Sequence, residues 1–308
     1  MTHPLEVVFL TNYSEFCFQA IPAVAQMADD IALRLTILHT VCADASPAGR
    51  TQAQARIESF FPEADSFAQT TRRVMTGTPM DAVRRLQLEG AVDLLLAPAA
   101  DRLGFPRLGH RSRRGRLLRE NTLPLWSIGR ATESLRMQRR PRNIACWVDF
   151  ENDCTSHVSN ALSYARLSGA RLHLLCALPD LAEGMLLLHN EPATPSAAAT
   201  EIARRLSWLD RLPEIHVAPS PDRKAQLRLL QDCDADLLFV LDSWRRLPRF
   251  LAPKPMLMDE SPCPVIWIPA DTGVSWQLAA AESIEWQARE PVAFRNRGAT
   301  ITPLLRYS

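Results

Sequence analysis

Short apolar runs alternate with amphipathic stretches along most of the chain. Residues 7–12 (VVFLTN) form an apolar run ending in a polar residue, a helical pattern continues through Ala28, and a second apolar run follows at Leu35 to Val41. Residues 144–149 (IACWVD) open the same order, with a helical pattern through Arg166 and a run at Leu172 to Leu178. Asn12 and Asp149, Cys17 and Cys154, and Arg34 and Arg171 are each 137 positions apart, so this stretch repeats without an insertion. A repeat of that length makes duplication the starting point for the fold.

The rest of each half continues in parallel. In the first, the pattern predicts a helix over Gln52 to Phe61, a strand over Arg72 to Met75, and a helix over Met80 to Glu89 after the Gly77-Thr78-Pro79 turn. A buried strand at 93–97, a basic segment and a last strand at Leu125 to Ile128 complete it. The second half repeats this with a helix over Ala197 to Leu209, a strand over Glu214 to Ala218, a helix over Arg223 to Gln231, and strands at Asp236 to Leu241 and Val265 to Ile268. Near-continuous apolar strands alternating with helices indicate a parallel sheet covered on both faces. The expected fold class is α/β, a tandem repeat of two doubly wound, five-stranded parallel-sheet domains. The expected boundaries are domain 1 at 1–130, a polar, basic linker at 131–142, domain 2 at 143–270, and a tail at 271–308 with one short helix from Ser275 to Arg289. Residues 183–196 (EGMLLLHNEPATPS) read as a long loop with apolar content.

Composition narrows the function. With 35 Lys+Arg against 34 Asp+Glu the net charge is +1, which argues against coating nucleic acid through overall charge. No run reaches the roughly 18–20 apolar residues of a membrane span, and MTHPLEVVFL lacks a basic region ahead of its apolar run. Seven scattered cysteines with no C-x-x-C fit reduced thiols, and a cytoplasmic location is expected. Eleven glycines in 308 residues is about half the usual share of roughly 7%, so glycine-lined phosphate sites must be scarce.

Several features together carry a family resemblance: Leu10-Thr11-Asn12-Tyr13-Ser14-Glu15 after the first strand, the second strand Leu35 to Val41, and the Gly77-Thr78-Pro79 turn. To these are added Val92-Asp93-Leu94-Leu95-Leu96, Gly109 followed by Leu117-Leu118-Arg119, and Pro124-Leu125-Trp126. In this order and spacing the chain resembles the universal stress proteins in their tandem form, over roughly 5–130 and 142–270. The resemblance implies an adenine-nucleotide α-hydrolase-like fold. It also implies, for members that bind ATP, adenine and ribose near the ends of strands one and two, often with an Asp after the first strand. Their phosphates sit on a G-x2-G-x9-G-[ST] loop after the fourth strand, where glycines admit phosphate close to the backbone and helix-start N–H groups donate to it.

This sequence departs from that loop. Counting from the strand end places Pro98 and Asp101 at the first two glycine positions; counting from Gly109 places Leu96 and Ala99 there. Pro98 has no N–H, Asp101 would repel phosphate, and His110 stands in the Ser/Thr position. In the second half no glycine occurs between Gly184 and Gly273, and Leu241-Asp242-Ser243-Trp244-Arg245 replaces the loop. Crevices outside the carboxyl ends of parallel strands still take ligands in open α/β sheets. The candidate walls are therefore Thr11, Asn12, Val41 and Pro98 in the first half and Asp149, Leu178 and Asp242 in the second.

The strongest charge feature is Arg102 to Arg119, with seven arginines and His110. Gly109, His110, Arg111 and Arg114 are its candidate contacts for a small anionic ligand or an acidic protein partner. Without interleaved aromatics, nucleic acid is an unlikely partner. Gly104 to Arg111 lacks the Lys and Ser/Thr of a P-loop. His39 with Cys42 and His173 with Cys176 have the look of metal pairs, but a spacing of three on a strand points side chains to opposite faces. They are expected to be buried strand residues, and no metal site is expected. Cys17 and Cys154, near helix starts, are expected as buried small hydrophobes, and His157 at solvent or in a capping contact.

No G-x-S-x-G elbow is present and catalysis finds no support. The leading expectation is a non-enzymatic binding or regulatory protein of the stress response whose nucleotide loops have degenerated. The alternative is an ATP- or AMP-binding protein with weak nucleotide hydrolysis in domain 1. In the resembled family, partner domains pair through the strand after the Pro. Leu125 to Ile128 and Val265 to Ile268 are thus expected to meet in an internal pseudo-dimer that covers both sheet edges, with room left for a homodimer.

Overall fold

The computed structural model describes residues 4–66, 68–90, 92–98, 122–148, 154–177, 195–218, 223–242, 260–269, 276 and 278. The first half runs β1 (Leu5–Leu10), α1 (Glu15–Asp30), β2 (Leu33–Val41), α2 (Pro47–Glu58), a 3-10 turn (Pro62–Ser66), β3 (Gln69–Thr76), α3 (Pro79–Leu88), β4 (Leu94–Leu96) and β5 (Leu125–Ser127). After α4 (Ser134–Met137) the second half runs β6 (Asn143–Trp147), α5 (Thr155–Ser168), β7 (Arg171–Ala177), α6 (Pro195–Arg205), β8 (Glu214–Ala218), α7 (Arg223–Asp232), β9 (Leu237–Asp242) and β10 (Val265–Pro269).

All ten strands join one sheet in the order β3-β2-β1-β4-β5-β10-β9-β6-β7-β8. Within each half every pair is parallel, as the buried apolar runs require, and the two halves carry the same strand order. The halves meet through β5 and β10, which pair antiparallel with Trp126 opposite Ile266, Leu125 opposite Trp267 and Ser127 opposite Val265. Because Pro124-Leu125 and Pro264-Val265 are corresponding positions, this register is self-complementary about Trp126 and Ile266. The expected internal pairing is present, and it removes two sheet edges that would otherwise offer unpaired backbone groups.

The spacing of the repeat survives in three dimensions. Val7 pairs with Leu35, and Ile144, 137 positions after Val7, pairs with Leu172, 137 after Leu35. Alternate strand residues enter two buried layers. Val7, Phe9, Leu35, Ile144 and Phe239 pack on the side of α1 and α5, while Val8, Leu38, Ala145 and Leu238 pack on the side that includes Val83 and Leu230 of α3 and α7. Both layers run across the seam, with Trp126 and Ile266 in one and Leu125, Val265 and Trp267 in the other.

Each half also repeats a polar pin. The Asp93 N–H donates to Glu6 O (2.8 Å) while its carboxylate accepts from Glu6 N–H (2.9 Å). The Asp236 N–H donates to Asn143 O (2.8 Å), and its carboxylate accepts from the N–H groups of Arg142 (2.8 Å) and Asn143 (3.1 Å). An acid placed just before the fourth strand thus satisfies backbone donors at the start of the first.

Local boundaries depart from the sequence expectation where caps govern them. α2 begins at Pro47 rather than Gln52, because the Ser46 hydroxyl accepts from Gly49 N–H and Pro47 tolerates the first helical position. The segment joining the halves is anchored by charge. Arg139 reaches Asp236 (2.6 Å) and Asp234 (3.4 Å), Arg136 reaches Asp234 (2.9 Å), and Arg140 meets the buried Asp30 at the end of α1 (2.6 Å). In the tail, Trp276 is buried, donates its backbone N–H to the Asn160 side-chain oxygen (2.8 Å) and stands edge-on to Phe239. The rest of the helix expected at Ser275 to Arg289, apart from Leu278, and most of the loop 183–196 lie outside the described residues.

Candidate functional site

The carboxyl end of β1 lies between β2 and β4, the crevice position of an open α/β sheet. Thr11 continues the ladder, its N–H donating to Leu38 O (2.9 Å), and its side chain is buried. Its Oγ1 accepts from Tyr13 N–H (3.0 Å). The Asn12 amide oxygen accepts from Ser14 N–H (3.0 Å) and from the Cys17 thiol (3.1 Å). Such a turn directs that oxygen inward to order the start of α1 rather than outward to a ligand. Cys17 is accordingly a buried thiol in contact with the turn.

Tyr13 follows with φ of 61°, a left-handed conformation uncommon for a bulky residue. Its ring lies 4.6 Å from the His39 ring and 5.5 Å edge-on to Phe60, with the Arg56 guanidinium 4.2 Å over its face. Burial pushes the Tyr13 hydroxyl up to about 12, with Arg56 opposing the shift, so it stays protonated at neutral pH. His39 donates its Nδ1–H to Thr11 O (2.9 Å), and burial holds its pKa below the ordinary range. The mouth between β1 and β2 is thereby lined by a packed aromatic and cationic group, in which the Tyr13 hydroxyl is buried without a hydrogen-bond partner.

Val41, at the end of β2, accepts from Gly77 N–H (2.9 Å) and pairs with Thr76; Gly77 carries the turn at φ of 111°, outside the range comfortable for other residues. Pro98 follows β4, where Ala97 N–H still donates to Trp126 O (2.9 Å). In the second half Asp242 closes β9 opposite Pro269. Gly109, His110, Arg111, Arg114, Asp149 and Leu178 lie outside the described residues. Thr11 and Asn12 are therefore adjoined by Tyr13, His39 and Arg56. Sequence reasoning did not single out Tyr13 or Arg56, and their one local signal is an aromatic residue directly after the polar end of the first strand.

Two other expectations need correction. Cys42 is exposed, because β2 ends at Val41 and Cys42 falls beyond the sheet. His157 is fully buried rather than solvent-facing or capping. With α5 beginning at Thr155, its third position faces the sheet, where Nε2–H donates to Trp147 O (3.2 Å) and burial lowers the pKa to about 4. His173 and Cys176 are both buried and, as their spacing of three on a strand implies, do not face one another. His173 instead meets His216 (3.0 Å) and Glu214 (3.5 Å) of the neighbouring strand. The signal for that cluster was Glu214-Ile215-His216, whose spacing of two on a strand places both polar side chains on one face.

Between α1, the joining segment and α5 there is a cavity of about 30 Å³, lined among others by Gln26, Trp126, Met137 and Tyr164. That volume holds about one water, far below the roughly 300 Å³ and more of small-molecule sites. No helix among the described residues is long and apolar enough to cross a membrane.

Fold and crevice together define a doubled, doubly wound α/β scaffold with one continuous sheet. No family model matches the sequence, and no curated protein matches it. Solved structures do match. A universal stress protein from Archaeoglobus fulgidus superposes with a TM-score of 0.61 at 13% identity, covering 86% of this chain and 98% of its own. A putative universal stress protein from Pseudomonas aeruginosa UCBPP-PA14 gives 0.55 at 14%, covering 87% and 95%. A functionally unknown protein from Pseudomonas aeruginosa PAO1 gives 0.55 at 14%, covering 87% and 94%. Matches over nearly their full length give this chain the fold of the universal stress proteins in tandem arrangement.

Proposed function

We propose that the protein is a non-enzymatic binding or regulatory module of the stress response, built on a nucleotide-type scaffold that no longer grips phosphate. The observation that carries this reading is the state of the first crevice. The Asn12 carbonyl is committed to Ser14 and Cys17, and Tyr13 lies against His39 and Phe60 under Arg56, where a nucleotide-binding relative would receive adenine and ribose. The missing loop glycines and Pro98, which has no N–H to offer phosphate, point the same way. Seven free cysteines accord with a reducing, cytoplasmic setting.

The test is a thermal-shift series with ATP, ADP and AMP at millimolar concentration. No rise in melting temperature is expected. The rival reading, ATP or AMP bound in domain 1 with weak hydrolysis, draws on the arginines of 102–119. It would be supported by a nucleotide-dependent rise that Arg111→Ala or Arg114→Ala abolishes. The site residues Thr11, Asn12, Val41, Pro98, Asp149, Leu178 and Asp242 stay proposals for a small anionic ligand. A homodimer is likewise a proposal, for which the outer strands β3 and β8 are the available sheet edges.

A further inference from the structure

The second half carries a polar cluster far from the crevice, on one face of its outermost strands. His173 of β7 stands directly opposite Glu214 of β8, and His216 lies two residues further along the same face. His173 Nδ1 is 3.0 Å from His216 Nε2 and 3.5 Å from Glu214 Oε2, and His216 Nε2 is 3.6 Å from Glu214 Oε1. A tetrahedral zinc ion with bonds of roughly 2.0–2.2 Å needs ligand atoms about 3.3–3.6 Å apart. The two distances to Glu214 already hold that spacing, and the two imidazole nitrogens, 3.0 Å apart, need to open by only a few tenths of an ångström to reach it.

A second, independent contact sets the chemistry of the buried ring. The Asn143 amide nitrogen donates to Asp234 O (3.4 Å), which turns its oxygen toward His173 Nε2 at 3.3 Å. The Nε2–H of His173 donates to that oxygen, so the neutral ring presents the Nδ1 lone pair to His216 and Glu214. An imidazole oriented by an outer carbonyl is the usual support of a metal ligand. Burial, followed by the influence of His216, lowers the His173 pKa, with Glu214 opposing and Arg171 adding to the shift; the ring is neutral at neutral pH.

From this geometry we propose that His173, Glu214 and His216 bind one divalent transition-metal ion of borderline softness, with zinc as the fitting case. Two imidazoles and a carboxylate suit such an ion. The Glu214 side chain is 66% exposed, leaving entry and a fourth position open to water. The ion would tie edge strand β8 to β7. The first half supplies an internal contrast, because its corresponding positions hold Thr36, Thr71 and Arg73, a set with no imidazole and a fixed positive charge.

The test uses the full chain after chelator treatment, titrated with Zn2+ against a chromogenic competitor and followed in parallel by thermal shift. One equivalent should bind and raise the melting temperature. His216→Ala and Glu214→Gln, both partly exposed positions, should each weaken binding at least about tenfold while the metal-free melting temperature holds. Co2+ should give ligand-field bands of nitrogen and oxygen coordination without thiolate charge transfer. Absence of stoichiometric binding, binding that survives the His216→Ala/Glu214→Gln double variant, or a cobalt spectrum with thiolate bands from one of the seven cysteines would each overturn the proposal.

Discussion

Where β7 and β8 carry His173, Glu214 and His216, the equivalent strands β2 and β3 carry Thr36, Thr71 and Arg73, in the same pairing register. Arg73 turns to Glu89, 2.7 Å away, and the first half closes that surface with an ordinary exposed ion pair. The same contrast recurs inside. His157 occupies the position of Ala20, so the second half buries a titratable ring where the first buries a methyl group. One backbone repeat therefore tolerates opposite chemistries at matched positions, provided the apolar layers and the Asp93 and Asp236 pins are kept. Duplication preserves what the sheet needs and leaves the rest free to diverge.

The seam tests whether the halves are separable. Trp126→Ala should destabilise the chain by about 3–5 kcal/mol, the usual range for truncating a buried Trp, because its ring sits where the layer on the α1 and α5 side crosses from one half to the other. Urea unfolding should still show a single transition, and two resolved transitions would break the picture of a shared core.

Matched substitutions at the pins should differ in size. Asp236→Ala strands the N–H groups of Arg142 and Asn143 and removes the partner of Arg136 and Arg139, for an expected loss of about 3–5 kcal/mol. Asp93→Ala should cost about 1–3 kcal/mol, since its carboxylate is less buried and receives Glu6 N–H. Equal midpoints for the two variants would refute the asymmetry.

Acid should act on the second half through His157. Its folded pKa of about 4 lies below the ordinary 6.5, so the unfolded chain takes up a proton that the folded chain refuses. Stability then falls as the pH drops from 6.5 toward 4, by about 3 kcal/mol for this group. His157→Ala, which installs the residue found at position 20, should flatten the pH dependence over that window when unfolding free energies are measured at each pH.

The smallest effect is expected at α3. The Thr78 hydroxyl accepts from Asp81 N–H (3.2 Å) and the Asp81 carboxylate accepts from Thr78 N–H (3.3 Å), a reciprocal cap. Thr78→Ala should lower stability by about 1 kcal/mol and shift the urea midpoint only slightly.

What the amino-acid order determines by itself is whatever depends on near neighbours. The ten strands, most of the helices between them and the tandem repeat follow from apolar periodicity and from turn residues close in the chain, whereas the meeting of the two Pro-led strands was implied only by the family resemblance. The start of α2 at Pro47 was legible too, in Ser46-Pro47, once capping is weighted above hydrophobic pattern. Tertiary structure alone decided which polar groups meet. His173 and His216 are 43 positions apart, and only the parallel register of β7 with β8 brings their nitrogens within 3.0 Å. Tyr13 comes against Arg56, and Asp30 against Arg140, in the same way. Periodicity specifies the face a side chain occupies, whereas hydrogen bonding, charge and metal affinity depend on distances of a few ångströms that exist only after distant strands are laid side by side.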